Sequence, residues 1–514
     1  MTDAAANPLL DSRETPFDLP PFARITDDAI AAAFETALAE ARAEVEAIAG
    51  SDAAPTFANT IDGLALAGKA LSDVLSVFFT LASVDSTPER QKMQREISPR
   101  LAAYSSDVML NAALFARIDA LWQDREALDL DAERRRVLEL THRNFVRAGA
   151  ALDEAGRGRL REINTRLAEL STAFGQNLLA DERDWTLPLS EADLEGLPAF
   201  VVSGARAAGE ERGVGGPAIT LSRSLIVPFL QFSPRRELRR RAYEGWASRG
   251  MRGGETDNRA IAAETLALRH ERARLLGHDS FADYRLAVEM AKTPDAVRQL
   301  MKEVWTPARA QAEADAEVLT RMLEADGEAA PLQPWDWRYY AEKRRQAEHD
   351  LDEAALKPFF QLDRMREAAF DCATRLFGLE FRPVDVPLHH PDARAWEVTR
   401  EGRHMAVFIA DDFARSGKRS GAWCSALRSQ QKLAGEIRPH VVNVCNFAKP
   451  PEGQPALLSY DDARTLFHEF GHALHQILSD VTYEQISGTS VARDFVELPS
   501  QLYEHWLEVP DVLE

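Results

Sequence analysis

Two histidines four residues apart, with a glutamate beside the first, make the most chemically loaded stretch of this 514-residue chain. The segment Thr465-Leu-Phe-His-Glu-Phe-Gly-His-Ala-Leu-His-Gln-Ile-Leu contains His468, Glu469 and His472. Its apolar residues Phe467, Phe470, Leu474 and Ile477 recur at spacings of 3, 4 and 3, the period of one helix face. On such a helix His468 and His472 stand one turn apart and can grip one zinc ion at ~2.1 Å each. Glu469 points about 100° around the helix, beside the metal and not on it, where a base acting on metal-activated water belongs. Gly471 costs a helix interior up to ~1 kcal/mol against Ala, so something is expected to pack close to the backbone there. His475 shares the histidine face, but seven residues are about 10.5 Å of rise, too far for one ion to reach all three. A packing or ligand-orienting role is expected for it.

A zinc site needs a third ligand. The metzincin spacing would place Gly at 475 and His at 478, where this chain has His475 and Leu478, so that class is excluded. The downstream candidates are Asp480, Glu484, Asp494, Glu497, Glu504 and His505. Asp494 to Trp506 reads as a second helix, with Asp494 and Glu497 on one face, so that one carboxylate could bind zinc while the other orients a histidine. Pro499 is expected to kink that helix beside the site. Ser487-Gly-Thr-Ser490 reads either as a flexible turn over a substrate or as a plain loop with Ser490 as N-cap.

The elements that must position these groups are mostly helical. Ile30, Phe34, Ala37, Ala41, Val45 and Ile48 recur at helical spacing, as do Leu160, Ile163, Leu167, Leu170, Phe174 and Leu178. Two stretches break the pattern. Ala199-Phe-Val-Val and Ala218-Ile-Thr-Leu-Ser, flanking a Gly-rich piece, read as a small hairpin. Farther on, Trp396-Glu-Val-Thr turns at Arg400-Glu-Gly-Arg into His404-Met-Ala-Val-Phe-Ile, and Val441-Val-Asn-Val-Cys reads as a third strand. A small sheet therefore precedes the histidine helix. The expected organisation is a helical region 1–184, a hairpin-containing connection 185–234, and a catalytic domain 235–514.

Composition narrows the class of function. The net charge of −21 disfavours nucleic acid and anionic membrane as partners. The longest largely apolar stretch, Val74 to Val84, falls short of the ~20 residues of a membrane span and reads as a core helix. Three cysteines are too few and scattered for a disulfide framework. Met1 to Arg13 has no apolar run, so no signal peptide is expected and the location should be cytoplasmic.

The run His468-Glu-Phe-Gly-His-Ala-Leu-His, then Ser487-Gly-Thr, then Asp494-Phe-Val-Glu-Leu-Pro-Ser-Gln, resembles the thimet oligopeptidase family of zinc peptidases. Pro20-Pro-Phe, Pro55-Thr-Phe-Ala-Asn-Thr, Leu332-Gln-Pro-Trp-Asp-Trp-Arg-Tyr-Tyr and Arg438-Pro-His-Val-Val-Asn-Val-Cys-Asn-Phe extend the likeness upstream. Lys418-Arg-Ser-Gly-Ala-Trp, Asn443-Val-Cys-Asn-Phe and Glu504-His-Trp are most similar to the peptidyl-dipeptidases of that family. The resemblance implies one zinc per chain held by His468, His472 and Glu497, with Glu469 as catalytic base and short unstructured peptides as substrates. Glu497 lies 25 residues after His472, the family's interval. The implied fold is mainly α, a helical ellipsoid with a deep substrate channel and a small β-sheet beside the zinc helix. Family members continue past this point with a helical segment carrying a Gly-Tyr and Tyr-rich motif with a histidine. Only 17 residues follow Glu497 and none matches it, so the resemblance implies a C-terminally incomplete catalytic domain, either a fragment of a longer gene product or a truncated relative with impaired turnover. The rival expectations are a zinc-binding helical protein without turnover, or a peptide binder that uses Val441 to Cys445 as a free strand edge.

Overall fold

The computed structural model describes residues 7–11, 15–349, 356–415, 417–419, 421–450 and 453–514. Most of Met1–Arg13, and Ser420 of the stretch Lys418–Trp423, lie outside them. The chain is mainly helical with one five-stranded sheet, and it divides into two compact units. The first joins residues 1–153 to 353–514, and the second is 154–352. The boundaries expected at 184/185 and 234/235 both fall inside the second unit, because the chain leaves the first unit and later returns to it.

The first unit is layered on its sheet. Helix α1 (Asp27–Ala49) starts where Thr26 Oγ1 accepts the Ala29 N–H, and it buries Ile30, Phe34, Ala37, Ala41 and Val45, as its spacing predicts. Helix α2 (Lys69–Val84) buries Val74, Val77, Phe78 and Leu81, so the apolar run Val74 to Val84 is part of the core. Both pack on one sheet face, through Val407, Ile409, Val442 and Val444. The other face, with Phe408, Ala410, Val441 and Cys445, receives the histidine helix and the helix Leu362–Phe377. A sheet covered on both sides must be apolar at successive residues, which is why these strands read as continuous apolar runs.

In the second unit, α3 (Glu154–Asp184) buries Leu160, Ile163 and Leu170, but Phe174 is 38% exposed, so the stripe read from sequence is covered only in part. The hairpin expected at 199–222 is corrected. Strand β1 (Leu187–Pro188) pairs with β2 (Ala218–Ile219), while Ala199–Glu211 between them is helix α4. Val201, Ala205 and Ala208 have helical spacing and are buried against Leu225, Ile226 and Phe229. A Cβ at Gly209 would stand 1.8 Å from the Gly216 carbonyl oxygen, so the glycines read as loop let the returning chain touch the helix.

The larger sheet has the order β3-β4-β5-β7-β6, with β3 Leu379–Val384, β4 Arg394–Arg400, β5 Arg403–Phe413, β6 Trp423–Arg428 and β7 His440–Phe447. The β4–β5 hairpin turns at Glu401–Gly402, as expected. Strand β7 runs parallel to β5 and antiparallel to β6. Val441 to Cys445 is therefore an interior strand, and the expectation of a free edge there is overturned; the edges of the sheet are β3 and β6. Near the end of β5, Asp411 is fully buried among cations. It accepts from Arg415 at 2.6 and 2.7 Å, from Lys418 Nζ at 2.9 Å and from His389 Nε2 at 2.8 Å.

Candidate metal centre

Helix α5 (Tyr460–Ile477) carries the two histidines. It begins at a capping box in which Ser459 Oγ accepts the Asp462 N–H and the Asp462 carboxylate accepts the Ser459 N–H. Phe467, Phe470, Leu474 and Ile477 are buried against the sheet, which turns the histidines away from it. The expectation at Gly471 holds. A Cβ there would meet Ser500 Cα at 2.6 Å and the Pro499 carbonyl oxygen at 2.8 Å, so only glycine lets the next helix lie this close.

That helix is α6 (Leu498–Glu504), shorter than sequence suggests. Residues 493–497 form turns, and Pro499 occupies the first helical turn, where its missing N–H has no partner to lose. The expected kink is therefore absent. Ser490 caps no helix either, since Glu497 is the N-cap residue. The loop before it is tied down: the Gly488 N–H donates to Ser479 Oγ at 3.0 Å, and the Ser479 and Ser487 hydroxyls are 3.2 Å apart.

The close approach of the two helices delivers Glu497 to the histidines. Its Oε2 lies 3.1 Å from His472 Nε2 and 3.3 Å from His468 Nε2, and takes a 3.0 Å hydrogen bond from Ser500 Oγ. The three donor atoms fall within 4.8 Å of one another. Two imidazole nitrogens and one carboxylate oxygen this close together could hold a metal ion. Of the other carboxylates considered, Glu504 faces the far side of His468, with Oε1 2.6 Å from Nδ1. The sequence offers Asp494 as a histidine-orienting carboxylate; the carboxylate at Nδ1 of His468 is that of Glu504. Seven residues separate Glu497 from Glu504, a spacing legible in sequence but meaningful only once α6 is laid against α5.

Glu469 is 6% exposed, and its Oε2 has no hydrogen-bond partner among the described residues. Burial pushes its carboxyl up to about 7; the Glu497 charge adds to the shift, and His468 opposes it. Burial holds His472 below the ordinary imidazole value, against the pull of Glu497. His475 packs its ring on Phe495, with centroids 6.3 Å apart, and is also held low by burial. It stands outside the group His468, His472 and Glu497, in keeping with the rise along the helix.

Residues 229–514 match peptidase family M3. The chain is 40% identical over 515 residues to the dipeptidyl carboxypeptidase of Salmonella typhimurium, covering 99% of this chain and 76% of that protein. It is 38% identical to the dipeptidyl carboxypeptidase of Escherichia coli, over 98% of this chain and 75% of the other. It is 33% identical to oligopeptidase A of Escherichia coli, over 99% and 75%.

Proposed function

The chain belongs to peptidase family M3 and is a metallopeptidase, and from that premise we propose that it hydrolyses short oligopeptides in the manner of a peptidyl-dipeptidase, with one zinc ion per chain. His468, His472 and Glu497 would hold the zinc, and Glu469 would be the base. The reading is carried by one observation: a buried carboxylate with an unpartnered oxygen stands next to a converged His-His-Glu donor set. Zinc, when bound, supplies a Lewis acid that polarises the scissile carbonyl and acidifies the attacking water. Glu469 takes the proton from that water and returns it to the leaving amine, a task suited to a carboxyl held near neutrality. Glu497, fixed by Ser500, closes the donor set. Strand β6 (Trp423–Arg428), last in the sheet order and packed beside α5, would offer backbone groups to an extended peptide. The names of the dipeptidyl carboxypeptidase relatives favour removal of dipeptides from a C-terminus. Short unstructured peptides are the proposed partners and the cytoplasm the proposed location; the strong negative charge disfavours nucleic acid and anionic membrane.

Elemental analysis combined with a quenched-peptide assay tests this. One zinc per chain with cleavage is expected, and zinc content should collapse in His472→Ala. Zinc without cleavage would leave a metal-binding protein with no turnover, and no zinc would remove the metal reading.

A further inference from the structure

Within the metal triad, His468 meets a carboxylate at each ring nitrogen. Glu497 Oε2 lies 3.3 Å from Nε2, and Glu504 Oε1 lies 2.6 Å from Nδ1. The two carboxylates bracket α6, two turns apart, so one short helix grips both edges of the ring. His472 has no such clamp among the described residues: its Nε2 faces Glu497, but its buried Nδ1 meets no hydrogen-bond partner there. Behind Glu504 stands Arg464, one turn before His468 on α5, with Nε 3.7 Å from Glu504 Oε2.

An ionised carboxylate only accepts, so a hydrogen bond to Glu504 puts the proton on Nδ1 of His468. Nε2 then keeps its lone pair, directed at the point where the three donors converge. We propose that Glu504 is a positioning residue of the metal centre, fixing the tautomer and ring plane of His468, with Arg464 as its countercharge. The two histidines then contribute unequally: His468 is oriented through the ring nitrogen that faces away from the donor set, whereas the carboxylate at His472 is Glu497, on the donor side, 3.1 Å from Nε2. Carboxylates in this position raise ligand basicity and are worth roughly 10–100-fold in metal affinity. The inference rests on the zinc reading above, and the experiment separates the two.

The metal-stripped 514-residue protein is titrated with zinc against a chromophoric chelator. Glu504→Ala is expected to bind zinc roughly 10–100-fold more weakly than wild type. Glu504→Gln, which keeps an acceptor oxygen for the Nδ1 proton, should recover most of that loss. Arg464→Ala, at an exposed ion pair, should cost no more than about threefold. Imidazole ¹⁵N spectra of the metal-free protein, with His468 assigned from its absence in His468→Gln, should show the Nδ1-protonated form in wild type and in Glu504→Gln. Affinity of folded Glu504→Ala within about threefold of wild type, well below the usual loss, overturns the inference and leaves the zinc reading standing. If Glu504→Ala does not fold, the wild-type spectrum decides, and an Nε2-protonated His468 overturns the inference. A wild-type protein that binds no zinc removes both.

Discussion

Two buried acidic groups in the first unit, Asp411 and Glu469, are solvated by the protein in opposite ways. Both Asp411 oxygens are occupied by Arg415, Lys418 and His389. Glu469 is nearly as buried, yet its Oε2 meets no donor among the described residues. The backbones differ as well: Asp411 lies in a strand paired on both sides, whereas the carboxylate that serves the Glu469 site, Glu497, sits where a turn meets a seven-residue helix. Burying a charge costs several kcal/mol unless partners replace the lost water. At Asp411 that cost is met internally, and the result is structure. At Glu469 no donor among the described residues meets that cost at Oε2, and a gap of this kind marks a candidate functional group.

The sharpest way to break this contrast is to neutralise each carboxylate without changing its shape. Glu469→Gln should lower peptide hydrolysis by about 10²–10⁴-fold, the usual worth of a general base, and leave zinc content unchanged. Wild-type turnover in that variant would remove Glu469 from the mechanism. Asp411→Asn should act oppositely, sparing the metal but costing about 3–5 kcal/mol of stability in urea unfolding, since it strands buried cations. The sign of its pH dependence follows. The cations around Asp411 hold its carboxyl far below the ordinary carboxylate range, overcoming the effect of burial. Its stabilisation is therefore complete above the unfolded-state value of about 3.9 and is lost as pH falls toward the folded-state value. The stability gap between wild type and Asp411→Asn should be flat above about pH 5 and narrow below about pH 4.

What the sequence revealed follows the range over which each signal acts. The histidine helix was legible because its ligands and its buried face both lie within a few turns of one helix. The hairpin Arg394–Phe413 was legible because its turn is local. Ala199–Val202 misled because a Phe-Val-Val run suits a strand as well as a helix, and the deciding contacts come from Leu225 to Phe229. Glu497 carried no local mark of its own; the resemblance singled it out from six downstream candidates. Glu504 was visible as a candidate but not in its role, which needs α6 packed on α5. The two-unit division was illegible for the same reason, since it depends on contacts between segments far apart in the chain.

The approach of α6 is therefore the step to perturb next. Gly471→Ala would drive a methyl group to 2.6 Å from Ser500 Cα. Overpacking of this kind costs about 1–3 kcal/mol. Because Glu497 lies three residues before Ser500, zinc affinity should fall along with stability. A variant with native stability and zinc affinity would show that the helices can separate without loss, and the account of how Glu497 is delivered would fail.

The smallest effect belongs to Pro499, and its sign is the informative part. A proline inside a helix costs about 3 kcal/mol, so if Pro499 kinked a helix running from Asp494, replacing it with Ala would stabilise the protein by a similar amount. The structure instead places Pro499 in the first turn of α6. There its ring pre-sets the backbone angle and no hydrogen bond is forgone. Its contribution then comes from restricting the unfolded chain, about 0.4–1 kcal/mol, and that is what Pro499→Ala should lose. Zinc content should be unchanged, because the Pro499 carbonyl and the Ser500 Cα, which set the distance to Gly471, remain in place. A gain in stability from Pro499→Ala would mean that the helix begins upstream of Leu498, and Glu497 would then sit inside a helix and not at its entrance.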